Sequence, residues 1–331
     1  MRNLLTDVPG LKVGHATDAK LASGSTVVVF DEPAVASIDV RGGGPGTRET
    51  ALLDPAQTVQ GIDAITLSGG SAFGLDAASG TQAWLKEQGR GFAVRSARVP
   101  IVPAAILFDL LNGGDKDWGR FPPYRELGYT AAAAADIEFA LGSVGAGAGA
   151  TTVNCKGGVG SASAQTPDGH WVGALAVVNA VGSVIIDKGP WFWAAPFEQN
   201  GEFGGHGLPQ VFPPNALTTR VKGGANESTT LVVVATDAIL TKAQAKRLAV
   251  MAQSGLARAI FPIHTPLDGD VLFAASTGRH QLADPLGLTG LGSLAAHVVA
   301  RAIARGVFEA TSLPFSGAVP SWREQFSREH N

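Results

Sequence analysis

The sequence predicts an α/β layered sandwich, and three observations carry that expectation. Short apolar runs recur between glycine clusters, and several are apolar throughout, as strands covered on both faces are. Helical stripes alternate with these runs along the chain. Hydrophobic residues make up 45% of the 331 positions and charged residues 16%, so the interior is large relative to the surface. Strands and helices mixed in this way bury each other in layers, and the balance suits a compact, oligomeric globule better than a disordered or fibrous chain.

The elements follow in order. Strand-like runs lie at 26–30, 64–67 and 92–95, separated by the clusters Gly42-Gly43-Gly44-Pro45-Gly46 and Gly69-Gly70. Glycine at such density marks tight turns and close backbone approach. An alanine-rich helix is expected over 131–141, ending at Gly142. After the glycines of 145–149 and Gly157, Gly158 and Gly160 come runs at 171–179 and 184–186. Residues 198–227 lack any periodic run, which is long for an ordinary connection and typical of functional loops. A buried strand follows at 231–236. Thr241-Lys242-Ala243-Gln244 is a capping box that opens a helix with Ala245, Leu248, Ala249 and Ala252 on one face. A strand at 271–275 precedes a last stripe, Leu294, Val298, Ala302 and Ile303, with Gly306 as its expected C-terminal cap. No repeat of fixed period is present.

Charge and motifs exclude several functions. Net charge is −3 with no basic block, which argues against a nucleic-acid partner. A single cysteine, Cys155, rules out an internal disulfide framework and reads as a buried structural thiol. The first residues meet Asp7 and Pro9 too early for a signal peptide. No uninterrupted apolar window reaches bilayer length, so no membrane is expected and a cytoplasmic location is the default. The sequon Asn226-Glu227-Ser228 is then a chance match. There is no G-x-S-x-G elbow, no P-loop and no G-x-G-x-x-G. Seven scattered histidines without an H-x-x-x-H pair leave zinc unsupported, and no metal or cofactor is expected.

The feature that invites chemistry is the junction at Ser228-Thr229-Thr230, where the long loop feeds a core strand. A threonine hydroxyl is a weak nucleophile unless a base sits beside it. An N-terminal threonine carries its own, because its free α-amine has a reference pKa of about 7.7–8.0. Cutting the 228–229 bond would create that amine, and the glycine-rich loop ahead would allow the strained approach. Threonine also favours strands, and the pattern alone fits an ordinary strand start better. Asp268 and Asp270 stand before the next strand; they could hold an ammonium group and tune its pKa, or simply form an Asp-Gly turn. Lys156 lies among glycines. Asn179 ends an apolar run, where it could cap the strand or donate its amide to an oxyanion.

Six blocks in order resemble one family. They are Val13-Gly14-His15-Ala16; Arg41-Gly42-Gly43-Gly44-Pro45-Gly46-Thr47-Arg48-Glu49-Thr50; Leu67-Ser68-Gly69-Gly70-Ser71-Ala72-Phe73-Gly74-Leu75; Lys156-Gly157-Gly158-Val159-Gly160-Ser161-Ala162-Ser163; Val178-Asn179-Ala180; and Thr229 through Ala238. The chain is similar over nearly its whole length to the aminopeptidase/esterase and nylon-oligomer hydrolase family of N-terminal-nucleophile enzymes (DmpA-like and NylC-like). Their fold is the α-β-β-α sandwich shared with ornithine acetyltransferase.

The resemblance implies self-cleavage before Thr229 into fragments 1–228 and 229–331 that stay associated, with tetramers of the cut heterodimer. It implies Thr229 as nucleophile, Lys156 and Asn179 in catalysis and oxyanion stabilisation, and Asp268 with Asp270 as the acidic pair of the nylon-hydrolase branch. Two positions depart. Ser228 stands where asparagine or glycine is typical, so slower processing is expected. The aminopeptidases' oxyanion tyrosine is replaced around Phe108-Asp109. The stretch 112–124, with Asp115, Asp117 and Trp118, reads as a cleft rim or interface. The first expectation is therefore endo-hydrolysis of 6-aminohexanoate oligomers or similar polyamides. Release of N-terminal α- or β-amino acids is the alternative. Acetyl transfer is weaker, because Thr230-Leu231 stands where the acetyltransferases carry methionine-leucine, and a non-catalytic binding protein is weaker still.

Overall fold

The computed structural model describes residues 1–222, 228–282 and 284–327. The sequon residues Asn226 and Glu227, and the glycines just before them, lie outside the described residues. Eleven described strands and six helices follow one another: β1 (Leu11–Asp18), β2 (Ser23–Val40), β3 (Gly46–Arg48), β4 (Ile62–Ser68), α1 (Ala77–Glu87), β5 (Phe92–Val94), β6 (Ala97–Val99), β7 (Ala104–Ile106), α2 (Tyr124–Ala133), β8 (Val159–Gln165), β9 (Trp171–Asn179), β10 (Thr229–Ile239), α3 (Lys242–Ala252), α4 (Ser254–Ala257), β11 (Val271–Gln281), α5 (Asp284–Phe308) and α6 (Trp322–Phe326).

The sandwich is built by bending one long strand. The first half of β2 pairs with β1 and β4; after a register shift between Val29 and Ala34 its second half pairs with β11. The resulting order is β3-β7-β4-β2-β11-β10-β9-β8, with β1 also on β2. Strand alternation then sorts side chains to two sides. In β10, Leu231, Val233 and Ala235 meet Val28, Phe30, Ile65 and Leu67 between the two sheet layers. Val232 and Val234 face the other way, onto Leu248 of α3 and Val298 of α5. On the far side, Val27, Val29 and Ala64 pack against Ala78 of α1 and Ala131 of α2. The order of layers is helix, sheet, sheet, helix, as expected. Each such fully buried valine or leucine contributes about 1.5–3 kcal/mol.

Three local expectations are corrected. Gly306 is not a cap but lies inside α5; a Cβ there would come within 3.0 Å of Gly158 O and Gly160 N, so its bareness lets β8 approach the helix. The helix expected over 131–141 is α2, which ends at Ala133. Beyond it the chain bridges Val13 to Asp136, and that pairing overrides the alanine propensity. Residues 184–186 are buried but form only the isolated bridges Ser183–Phe261 and Ile185–Phe192. The run expected at 92–95 is β5, in an exposed hairpin with β6.

The helix at 285–308 is long and apolar enough to cross a membrane, a length the sequence reading did not find. Much of it is buried on β8 and β9, as in a core helix, and it carries the buried Arg301, ion-paired to Glu202 at 2.5 Å. Cys155 is buried and free, and burial pushes its thiol up to about 12.

Candidate active site

The strand register assembles the site. Antiparallel pairing sets Thr229 of β10 directly across from Asn179 of β9. Parallel pairing of β10 with β11 begins at Leu231 and Val271, so the turn entering β11 sits beside the start of β10. Ser228 bridges to Asp268, and its N–H donates to Leu267 O at 3.0 Å. In return Gly269 N–H donates to the Ser228 carbonyl at 2.6 Å. Ser228, Thr229, Asp268, Asp270, Asn179 and Lys156 are all buried. Positions as far apart as Asn179 and Asp270, 91 residues (270 − 179), thus meet at the start of β10 through strand pairing and the turn before β11.

The two acids are held differently. Asp270 accepts from Thr230 N–H at 2.9 Å, His264 N–H at 3.1 Å and His264 Nδ1 at 2.9 Å. It therefore anchors the first peptide of β10 to the turn. His264 holds a left-handed backbone, φ 57°, the kind of strain that gathers at functional sites. Asp268 accepts from Val181 N–H at 3.2 Å and Thr265 N–H at 2.8 Å. Burial, then the neighbouring Asp270 charge, raises its pKa above the usual carboxylate value. The Asp-Gly-Asp turn brings both carboxyl groups to the junction.

Asn179 accepts from Thr151 N–H at 3.0 Å through Oδ1, while its Nδ2 donates to Phe108 O at 3.0 Å. It thus ends the strand and has its amide aimed along one wall of a cavity of about 470 Å³. Phe108, Asn112, Lys156, Lys222 and Phe315 line the same cavity. Thr229, the cross-strand partner of Asn179, is not among the residues that line the cavity. The stretch after 112 contributes rim, as expected: Asn112 and Gly113 line the cavity, and Trp118 packs on Phe73 and Tyr124.

Lys156 donates to Gly147 O at 3.0 Å and Gly157 O at 2.7 Å. Burial depresses its ammonium to about 7, against which the Asp109 charge pulls back up. Asp109 is itself buried, accepts from Ser23 Oγ at 2.6 Å and Gly70 N–H at 2.8 Å, and is raised by its burial.

Three groups at the site escape sequence reasoning as functional residues. Lys222 donates to Asn179 Oδ1 at 3.1 Å, and desolvation lowers it to about 7. Its only sequence signal is a cation just ahead of the glycines before the junction. His264 and Gly269 flank and interrupt the acid pair, where the motif reading saw only turn residues.

A four-layer sandwich with a buried hydroxyl residue opening a central strand is the arrangement of the N-terminal-nucleophile hydrolase fold. The chain belongs to peptidase family S58, whose model matches residues 3–318. It is 43% identical, over 98% of both chains, to an uncharacterized aminopeptidase of Mycobacterium tuberculosis. It is 26% identical to the 6-aminohexanoate-oligomer endohydrolase of Kocuria sp., covering 88% of this chain and 82% of that one. Among solved structures it resembles the L-aminopeptidase D-Ala-esterase/amidase of Ochrobactrum anthropi, described as a variant of the Ntn hydrolase fold. The TM-score is 0.73 at 20% identity, covering 99% of this chain and 95% of that one. Fold and family together make the protein an aminopeptidase-like hydrolase of amide bonds.

Proposed function

We propose that the chain cuts itself between Ser228 and Thr229 and that the freed Thr229 then hydrolyses linear amides through an acyl-enzyme. The observation that carries this reading is the placement of one peptide bond: the Ser228 carbonyl is gripped by Gly269 N–H at 2.6 Å at the mouth of a buried central strand. In the cut enzyme the α-amine of Thr229 takes the proton from its own Oγ, and Oγ attacks the substrate carbonyl. Asp270 fixes the strand start through Thr230 N–H, and Asp268 supplies a second carboxyl within the same turn. Asn179, whose Nδ2 has a second hydrogen beyond the one given to Phe108, is the side-chain donor for the substrate oxyanion. Lys156 holds the glycine backbone of the cavity floor.

Release of N-terminal residues is the first substrate reading, supported by the relative of 43% identity, which is named an aminopeptidase. A cavity of about 470 Å³ suits a small amide. Endo-cleavage of polyamides is the second, and the specific support for it is the Asp268–Asp270 pair together with the endohydrolase relative. A substrate panel separates them: dipeptide amides with free and with acetylated amines, and blocked 6-aminohexanoate oligomers. Exo-cleavage requires the free amine, so acetylation should abolish turnover. Brisk hydrolysis of blocked oligomers would reverse the order, and a Thr229→Ala protein as active as wild type would remove the nucleophile assignment altogether.

A further inference from the structure

The glycine run at 42–44 has no role in the chemistry described so far, and the grip of Gly269 on the Ser228 carbonyl has no assigned step. They meet at the scissile bond. Gly44 N–H donates to Asp268 O at 2.8 Å, and Gly43 N–H donates to Thr265 O at 3.2 Å. A Cβ on Gly42 would stand 2.3 Å from Asp268 O and from Asp270 N; one on Gly43 would stand 2.7 Å from Pro266 Cα. The 42–44 backbone therefore lies flush against the acid turn, and no larger residue fits between them. On the other side of the turn a Cβ on Gly269 would stand 2.6 Å from Thr229 Oγ and 2.7 Å from Gly44 O. Gly269 is thus wedged between the 42–44 backbone and the hydroxyl of Thr229, while its N–H holds the Ser228 carbonyl oxygen at 2.6 Å.

We propose that the backbone N–H of Gly269 is the oxyanion donor of the self-cleavage step, held rigid by the Gly42–Gly44 brace. The assignment rests on the self-cleavage reading above and adds its missing electrophilic group. Thr229 Oγ adds to the Ser228 carbonyl carbon, forming a C–O bond and moving the π electrons onto the oxygen that faces Gly269 N–H. Collapse breaks the Ser228–Thr229 C–N bond, and the Oγ proton passes to the departing nitrogen. Water then hydrolyses the Ser228 ester, leaving a Ser228 carboxylate and the free amine of Thr229. Asn179 Nδ2 gives one hydrogen to Phe108 O, and the oxygen of the Ser228 carbonyl is met by Gly269 N–H. The two half-lives of the site therefore use different donors: a backbone N–H for cutting the chain, and a side-chain amide for cutting substrate. The donor also has to be a glycine, because any Cβ would displace the nucleophile it serves.

The test removes one hydrogen. Full-length chain is made with glycolic acid in place of Gly269, which exchanges N–H for an ester oxygen and adds no atom to the side chain. A companion carries 2-hydroxy-4-methylpentanoic acid in place of Leu267, which deletes the neighbouring turn bond from Leu267 N–H to Thr265 Oγ1 (3.3 Å) and keeps the side chain. Formation of the 229–331 fragment should slow about 100-fold or more in the first, as loss of one oxyanion donor does. The companion should cut at the wild-type rate. A position-269 ester that also cuts at the wild-type rate overturns the assignment. Should that ester fold poorly, the uncut Thr229→Ala chain provides the second readout, a through-hydrogen-bond coupling between Gly269 nitrogen and the Ser228 carbonyl carbon. Its presence supports the contact, and its absence in a folded chain overturns it. Wild type run alongside separates the two ideas: if it stays whole, self-cleavage itself falls; if it cuts and the ester keeps pace, only the Gly269 role falls.

Discussion

Asp270 and Lys156 show what single side chains contribute at the residue scale. The Asp270 carboxylate satisfies the buried N–H of Thr230 and meets the backbone N–H and Nδ1 of His264. Asp270→Ala should cost about 1–3 kcal/mol, the usual penalty for stranding a buried donor, and should also slow self-cleavage because Thr230 loses its anchor. Urea midpoints and a time course of fragment formation check both; an unchanged midpoint would contradict the account. Lys156 has a depressed pKa of about 7 in the folded chain, against roughly 10.4 unfolded. Between those values the unfolded chain holds a proton that the folded chain has released, so stability rises with pH from about 7 toward 10. Lys156→Met should remove part of that slope in urea titrations at pH 7, 8 and 9, with Lys222 supplying a remainder of the same sign. A slope unchanged by the substitution would contradict the burial argument. Residue types at this scale were partly legible. Thr229, Asp268 and Asp270 stand out because loop, hydroxyl and apolar run are adjacent in sequence. Lys222 and Gly269 do not, since their contacts with Asn179 and Ser228 join distant parts of the chain that no local pattern links.

Elements were more legible than their ends. Trp171–Asn179 and the Thr241 capping box are where periodicity and capping residues place them, with Thr241 Oγ1 accepting from Gln244 N–H at 3.2 Å. Gly306 looked like a cap because glycine after an apolar stripe usually is one. Its real constraint is the contact of α5 with β8, which depends on Gly158 and Gly160 in a distant part of the chain. That contact makes a paired prediction. A Cβ on Gly160 would stand 2.0 Å from Ala302 O, so Gly160→Ala should destabilise by about 1–3 kcal/mol through overpacking. Gly306→Ala meets neighbours only at 3.0 Å and gains helix propensity of about 0.8–1 kcal/mol, so the two effects offset and the melting temperature should barely move. Equal effects from the two substitutions would mean that the helix, not the contact, sets the requirement. The alanines of 131–141 mislead for a related reason: β1 captures the chain at Asp136 before the helix can continue.

For the whole molecule, a cut at the proposed 228–229 position would not take the fold apart. Strands β10 and β11, both downstream of Thr229, lie in mid-sheet between β9 and β2, both upstream. Thr229–Thr236 pair with Val172–Asn179, and Val271–Ser276 pair with Val35–Val40. Arg301 from the downstream part reaches Glu202 at 2.5 Å and Asn3 Oδ1 at 2.8 Å in the upstream part. The two fragments should therefore co-elute as one particle under native conditions and separate only in denaturant. Native size-exclusion followed by denaturing separation tests this, and free 229–331 fragment in native buffer would contradict it.

The central claim is that Thr229 becomes an N-terminus. Intact-mass measurement of freshly purified protein in denaturant tests it most directly, beside the Thr229→Ala chain. The account predicts two masses for wild type, corresponding to 1–228 and 229–331, with the smaller beginning at Thr229, and a single full-length mass for Thr229→Ala. A wild-type protein that remains one chain of 331 residues while hydrolysing amides would contradict it.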